Sequence, residues 1–214
     1  MDLKEISAAL MRGRVKIVEE LTAKALDEGV TAKEILENAL LAGMQEIGER
    51  FSQNKAFVPE VMIAAKAMNA GMAVLKPRLV GESVEKAGKV CIGTIKGDQH
   101  DIGKNLVKIM MEGAGLEVID LGVNVPPKKF VDTAVSEGCD IISCSALLTT
   151  TMSNMSAIVT EAEAAGIRSR VRIMIGGAPV TQAFCDKIGA DCYTSDAASA
   201  AREAVRLVKA LRNN

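Results

Sequence analysis

The chain has 214 residues, 49% of them apolar, and a formal net charge of −1 with acids and bases interspersed. That length allows one or two domains with a sizeable core, and the charge balance excludes the basic footprint of a nucleic-acid or anionic-membrane partner. No apolar run approaches a membrane span, MDLKEISAAL lacks a signal-peptide core, and the five cysteines (Cys91, Cys139, Cys144, Cys185, Cys192) form no CxxC pair and read as buried reduced thiols, so a cytoplasmic location is expected.

With four Phe, one Tyr and no Trp, the interior must be filled by Val, Ile, Leu, Ala and eleven Met. The first eighty residues show helical periodicity only. Val15, Val18, Leu21 and Ala25 form an apolar stripe that stops at Gly29. Thr31-Ala-Lys-Glu34 is a capping box, and Leu36, Leu40, Gly43, Met44, Ile47 and Phe51 then share one face. Pro59 fits the first turn of the next helix, whose stripe is Val58, Val61, Met62, Ala65, Met68, Met72 and Leu75. The methionines read chiefly as core, although Met is adaptable enough to serve a cofactor face. These patterns predict a four-helix bundle over residues 1–84. Pro77, Gly81 and a polar run break the pattern around Lys76–Ala87, the candidate linker, and a second domain is expected over 89–214.

Beyond the linker the texture alternates. Strand-like runs lie at Val90–Ile95, Leu116–Leu121, Cys139–Ser145, Val171–Ile175 and Asp191–Thr194. Helical patterns follow them at Ile102–Glu112, Lys128–Ser136, Met152–Ala165, Val180–Ile188 and Ala197–Leu211. Alternation of this kind predicts an α/β domain: a doubly wound, five-stranded parallel sheet of flavodoxin-like, Rossmann type, with right-handed crossovers and strand order 2-1-3-4-5. Ligands of such sheets bind outside the carboxyl ends of the strands, where the order reverses.

The only histidine, His100, sits at that reversal, in GTIKGDQHDIGKN. A neutral imidazole is a common metal ligand, and Asp98 could accept its other ring N–H. Taken alone, His100 reads as readily as a surface histidine in a polar loop. Two further strand ends open onto the same edge: Ser145-Ala-Leu147-Leu-Thr149-Thr150-Thr151, and Gly176-Gly177-Ala-Pro179. Glycines admit a ligand close to the backbone, hydroxyls offer compact donors and acceptors, and a Gly-Gly helix start offers N–H groups to phosphate. Each feature has a plainer explanation: Gly-Gly as a tight turn, Thr151 as a helix cap. Their joint appearance is the signal.

DQHDIG from Asp98, SAL from Ser145 and Gly176-Gly177 resemble the D-x-H-x-x-G, S-x-L, G-G fingerprint of the cobalamin-binding domain of corrinoid proteins. ERFSQNKAFVPEVMIAAKAM from Glu49 resembles the helical cap of the same family. The resemblance extends over essentially the whole chain. It is strongest to the stand-alone corrinoid proteins of methyltransferase systems, and the cobalamin-binding module of methionine synthase is similar.

The resemblance implies a cobalamin or related corrinoid bound base-off, with His100 as lower axial cobalt ligand. Asp98 would hydrogen-bond His100, and Thr151 would continue the relay. Ser145, Leu147 and Thr149 would line the slot for the nucleotide tail. Gly103, Gly176 and Gly177 would leave room for that tail, while Gly122 and Val123 would shape its mouth. Asp101 and Ile102, inside the fingerprint, belong to the same cofactor loop. In the cap, Phe57 with Met62, beside Val61, would shield the upper face, and the segment Gly81–Gly88 would serve as hinge. No catalytic residue independent of the cofactor is expected.

The implied function is a methyl carrier. Cobalt(I) takes a methyl group from a donor:corrinoid methyltransferase, and the methyl-cobalt(III) form delivers it to a second methyltransferase acting on tetrahydrofolate or coenzyme M. A reductive activator is a further candidate partner; no nucleic acid or membrane is expected. The donor favoured is a methylated or quaternary amine, ahead of methanol or an aromatic methyl ether. Two alternatives share parts of the pattern. The small subunit of an adenosylcobalamin mutase shares the D-x-H-x-x-G sheet but generally lacks this cap. A cobalamin-based sensor shares cap and sheet but usually adds a DNA-binding headpiece, and no basic recognition segment precedes the bundle here.

Overall fold

The computed structural model describes residues 2–79 and 87–213, and the chain falls into two compact units, Met1–Glu85 and Lys86–Asn214. Most of the predicted hinge Gly81–Gly88 and most of the predicted linker lie outside the described residues.

Among the described residues the first unit is helical throughout. It comprises α1 (Lys4–Met11), α2 (Val15–Asp27), α3 (Ala32–Ile35) continuing through a π-helical segment (Leu36–Leu41) into α4 (Ala42–Ser52), and α5 (Val58–Leu79). These make four rods, α3 to α4 counting as one. Thr31 caps α3, its hydroxyl accepting from the Glu34 N–H at 3.2 Å. Burial on α5 falls on Val61, Ala64, Ala67, Met68, Gly71 and Leu75. The predicted stripe is therefore rotated: Ala65 and Met72 are half-buried and Met62 is exposed. Close helix approach explains Gly71, where a Cβ would come within 2.8 Å of Leu40 and 3.1 Å of Val18. The helix also runs through Pro77, which the sequence pattern placed in the linker. By length and composition α5 could cross a membrane, a point the sequence reading missed. Its buried stripe, packed against α2, is that of a bundle helix.

The second unit alternates strand and helix. In chain order it has β1 (Lys89–Thr94), α6 (Ile102–Gly113), β2 (Glu117–Asp120), α7 (Pro127–Glu137), β3 (Ile141–Ser145), α8 (Thr149–Met152), a 3-10 turn (Ser153–Met155), α9 (Ser156–Ala164), β4 (Arg172–Gly176), α10 (Gln182–Ile188), β5 (Cys192–Tyr193) and α11 (Ala197–Arg212). The sheet is parallel throughout with order β2-β1-β3-β4-β5, as the alternation predicted. Helices α6 and α11 pack together, as do α7 and α9. Fully buried Cys91, Ile142, Ile173 and Phe130 belong to the core between the sheet and one helical layer. All five cysteines are buried and free.

One predicted helix is broken. Met152–Ala165 was expected to be continuous, yet α8, the 3-10 turn and α9 divide the segment. Hydroxyl groups along it account for this. Ser156 Oγ bonds the Ser153 carbonyl at 2.7 Å and Ser153 Oγ bonds the Thr150 carbonyl at 3.5 Å, and such local bonds compete with helical geometry.

Candidate functional site

Order reverses at β1, which pairs with β2 on one side and β3 on the other. The loops leaving the carboxyl ends of these three strands are stitched together by Asp98. This residue is fully buried, which a carboxylate tolerates only when its oxygens are satisfied. They are. Oδ1 lies 2.7 Å from His100 Nδ1 and accepts the His100 N–H at 3.1 Å. Oδ2 accepts from Leu147 N at 2.7 Å, Leu148 N at 3.1 Å and Thr151 Oγ1 at 3.0 Å. Burial pushes the Asp98 pKa up, but the Leu147 N–H and the other donors, His100 among them, outweigh it and hold the carboxyl well below the usual range.

An ionised carboxylate can only accept, so Nδ1 carries a proton towards Asp98, and in the neutral ring the lone pair belongs to Nε2. The His100 side chain is 52% exposed, leaving Nε2 available to a ligand. Thr151 lies inside α8 rather than capping a helix from outside, and its hydroxyl faces Asp98. The structure thus brings Asp98, His100, Leu147 and Thr151 into one hydrogen-bonded cluster drawn from two loops.

The remaining candidates sort by what they touch. Ile102 is 78% exposed at the start of α6, and Leu147 and Leu148 are also exposed, so apolar surface borders the histidine. Asp101 is the N-cap residue of α6, but its side chain accepts from Asn105 Nδ2 at 3.2 Å instead of capping the helix. A Cβ on Gly103 would meet nothing within 4 Å, which leaves open space over the first turn of α6. Gly122 turns the chain after β2 with φ 83°, and its N–H donates to Asp120 Oδ1 at 2.9 Å. Val123 is half-buried in the same loop, Thr149 is exposed, and Ser145 is half-buried at the end of β3. Gly176 has room for a Cβ, at 3.7 Å from the Thr194 carbonyl oxygen. Gly177 has none: its φ is 128° and a Cβ would collide with the Ala146 carbonyl oxygen. This glycine is required by its neighbouring loop, whatever the ligand. Phe57, 67% exposed, precedes α5, its N–H donating to Glu60 Oε2 at 2.8 Å.

Two positioning features escaped the sequence reading. Asn124 adopts φ 54°; its Oδ1 accepts the Gly97 N–H at 2.7 Å, and its own N–H donates to the Asp98 carbonyl at 2.9 Å. Asn tolerates that left-handed conformation, which was the available signal. Lys104 is buried and bonds Asp120 Oδ1 and Oδ2 at 2.6 and 2.7 Å. Burial raises the Asp120 pKa, but the Lys104 hydrogen bond reverses the shift and lowers it. A lysine on the inward face of an amphipathic helix gives no sign of its partner sixteen residues away.

Comparison with known proteins settles the family. A B12 binding domain matches residues 88–206 and a second B12 binding domain matches residues 2–76. The chain is 42% identical over 207 residues to the dimethylamine corrinoid protein of Methanosarcina barkeri, spanning 96% of this chain and 97% of that one. It is 47% identical over 184 residues to trimethylamine corrinoid protein 1 of Methanosarcina mazei, spanning 85% of each. It belongs to the corrinoid proteins of methyltransferase systems.

A solved structure agrees. The methanol:cobalamin methyltransferase complex of Methanosarcina barkeri contains a chain that superposes with a TM-score of 0.85 at 28% identity, covering 95% of this chain and 78% of that one. The residues present fit a corrinoid. One imidazole supplies one ligand, so a metal held here must bring the rest, as cobalt in a macrocycle does. The open space at Gly103 and the apolar border of Ile102, Leu147 and Leu148 suit a bulky, partly apolar group.

Proposed function

We propose that this corrinoid protein is a methyl carrier for a methylated amine, with His100 Nε2 as lower axial ligand to cobalt in a base-off corrinoid. When bound, the cofactor supplies a cobalt centre that takes up a methyl group and gives it on. The protein's own residues supply the rest. Asp98 holds Nδ1–H at 2.7 Å, fixing the tautomer and raising the basicity of Nε2. The Leu147 N–H, with His100 and the Leu148 N–H, keeps Asp98 ionised, and Thr151 Oγ1 at 3.0 Å adds a further hold on Oδ2. Gly103, Ser145, Leu147 and Thr149 would line the space for the cofactor's tail, with Gly176 as a small residue and Gly122 and Val123 at the mouth; Gly177 serves the approach of the Ala146 backbone instead. Exposed Phe57 and Met62 are assigned to shielding the reactive methyl from water.

The observation that carries the ligand assignment is the saturated, buried carboxylate on Nδ1. It gives a half-exposed imidazole one defined free lone pair. The amine donor is supported by relatives whose names include dimethylamine and trimethylamine corrinoid proteins. A donor methyltransferase and a second methyltransferase, acting on coenzyme M or tetrahydrofolate, would complete the route, with a reductive activator to restore the reduced cofactor.

A methylation assay tests the donor. Corrinoid-loaded, reduced protein is incubated with each of a set of donor methyltransferases specific for mono-, di- and trimethylamine, a betaine and methanol. Fast methylation with an amine enzyme and its substrate is expected. Methylation with the methanol enzyme alone would replace the amine assignment.

A further inference from the structure

We propose that Thr94 is a positioning residue that locks the histidine loop, so that His100 is presented to the corrinoid in one orientation; this builds on the ligation reading above. Thr94 is the last residue of β1 and is fully buried. Its hydroxyl donates to the His100 carbonyl oxygen at 2.7 Å and lies 3.0 Å from Ser145 Oγ. A threonine hydroxyl has one proton and a carbonyl can only accept, so Ser145 supplies the proton of the second bond. The main chain of Thr94 is committed as well. Its N–H donates to the Gly122 carbonyl at 3.0 Å, and its carbonyl accepts the Val125 N–H at 2.9 Å. Parallel register sets Thr94 opposite Ser145. The side chain of Thr94 and the two peptide groups that flank it therefore tie together the loops after β1 and β2 and the end of β3.

The consequence for His100 is geometric. Asp98 grips the imidazole at Nδ1 and the main chain at the His100 N–H. Thr94 grips the main chain on the other side of the residue, at its carbonyl. With both ends of the backbone unit held, the ring is restrained as a whole; with Asp98 alone, the loop beyond His100 is free to swing and carry the ring with it. The hydroxyl does this from inside the sheet edge, out of a ligand's path. Nothing in the strand pattern of KVCIGT separates this threonine from any other β-branched strand residue.

The test compares Thr94→Val, which keeps the shape and deletes the hydroxyl, with Thr94→Ser, which keeps the hydroxyl. Hydrogen exchange is followed in the cofactor-free protein for residues 96–104, with α11 as internal control. Exchange about tenfold faster in Thr94→Val, near wild type in Thr94→Ser and unchanged in α11 is expected, the size of one lost hydrogen bond. The same proteins are then mixed with hydroxocobalamin and desalted. Thr94→Val should retain corrinoid with a smaller histidine-ligated share in its spectrum, and Thr94→Ser should restore it. Should Thr94→Val not fold, Thr94→Cys, a weak donor of similar size, is expected to fall between wild type and loss of the bond in both readouts. Unchanged loop exchange and spectrum in the hydroxyl-less variant, or equal damage in Thr94→Val and Thr94→Ser, would overturn the proposal. Failure of the wild type itself to retain corrinoid would sink the ligation reading, while the exchange comparison would still decide the role of Thr94.

Discussion

The two units bury polar side chains in different ways. Among the described residues of the helical unit one polar side chain is fully buried, Thr22 on α2, and its hydroxyl has no partner. The sheet unit buries Thr94, Asp98, Lys104 and Thr151 close to the carboxyl edge of its strands, and each is hydrogen-bonded to another loop or element. Deep polar burial is costly unless it is satisfied, so it accumulates where a fold must hold a particular geometry. Thr133 on α7 and Ser143 within β3 are buried elsewhere in the unit, but the four bonded across loops and elements gather at the ligand edge. The helical unit needs only shape, and its one buried hydroxyl is a small loss left uncorrected.

The contrast can be broken most severely at Asp98. Asp98→Ala strands the Leu147 and Leu148 N–H groups at once and leaves the Thr151 hydroxyl only the Leu148 carbonyl. A loss of about 3 kcal/mol or more in unfolding free energy of the sheet unit is expected by denaturant titration. A loss below about 1 kcal/mol would mean that water or a rearranged loop replaces the carboxylate.

Acid sharpens the same point. The folded-state pKa of Asp98 is lowered, and that of Asp120 moves in the same direction. Groups of this kind contribute stability that is fully present above the unfolded carboxylate pKa, about 3.9, and lost as pH falls below it towards the folded value. Unfolding free energy should therefore fall as pH drops through 4, with up to about 1.4 kcal/mol per pH unit from each such group. In Asp98→Asn the slope should be shallower. Parallel slopes in the two proteins would show that Asp98 is not held ionised by the fold.

The smallest effect lies in the helical unit and has the opposite sign. Thr22→Val deletes an unpartnered buried hydroxyl and keeps the branched shape. It should stabilise that unit by about 1 kcal/mol, read as a rise in its unfolding midpoint. A loss of stability would mean that the hydroxyl finds a partner after all.

Much of the sheet unit was legible because its signals are local. Short apolar runs alternating with helical patterns gave five parallel strands in the order 2-1-3-4-5, and DQHDIG named the loop at the reversal. The helical unit was less legible. Leu36, Leu40, Gly43, Met44 and Ile47 all bury as the 3.6 period requires. Nothing in that period announced the π-helical segment, because one wider turn leaves the apolar face intact. On α5 the expected stripe held Val61, Met68 and Leu75 but misplaced Met62, since helices lined with Ala and Gly on one side and Met on the other offer two plausible faces. At the site, hidden partnerships were the limit. Lys104 with Asp120, Asn124 with Gly97 and Thr94 with His100 join residues from different turns or strands, and only the folded register brings them together.

The central claim is that His100, steadied by Asp98, is the protein ligand of a bound corrinoid. The most direct measurement is the absorbance spectrum of protein mixed with hydroxocobalamin and desalted, wild type beside His100→Ala. Near-stoichiometric corrinoid on the wild type, with a histidine-ligated spectrum that His100→Ala loses, is the predicted result. Identical spectra from the two proteins would contradict the ligand assignment, and a folded wild type that retains no corrinoid would contradict the site as a whole.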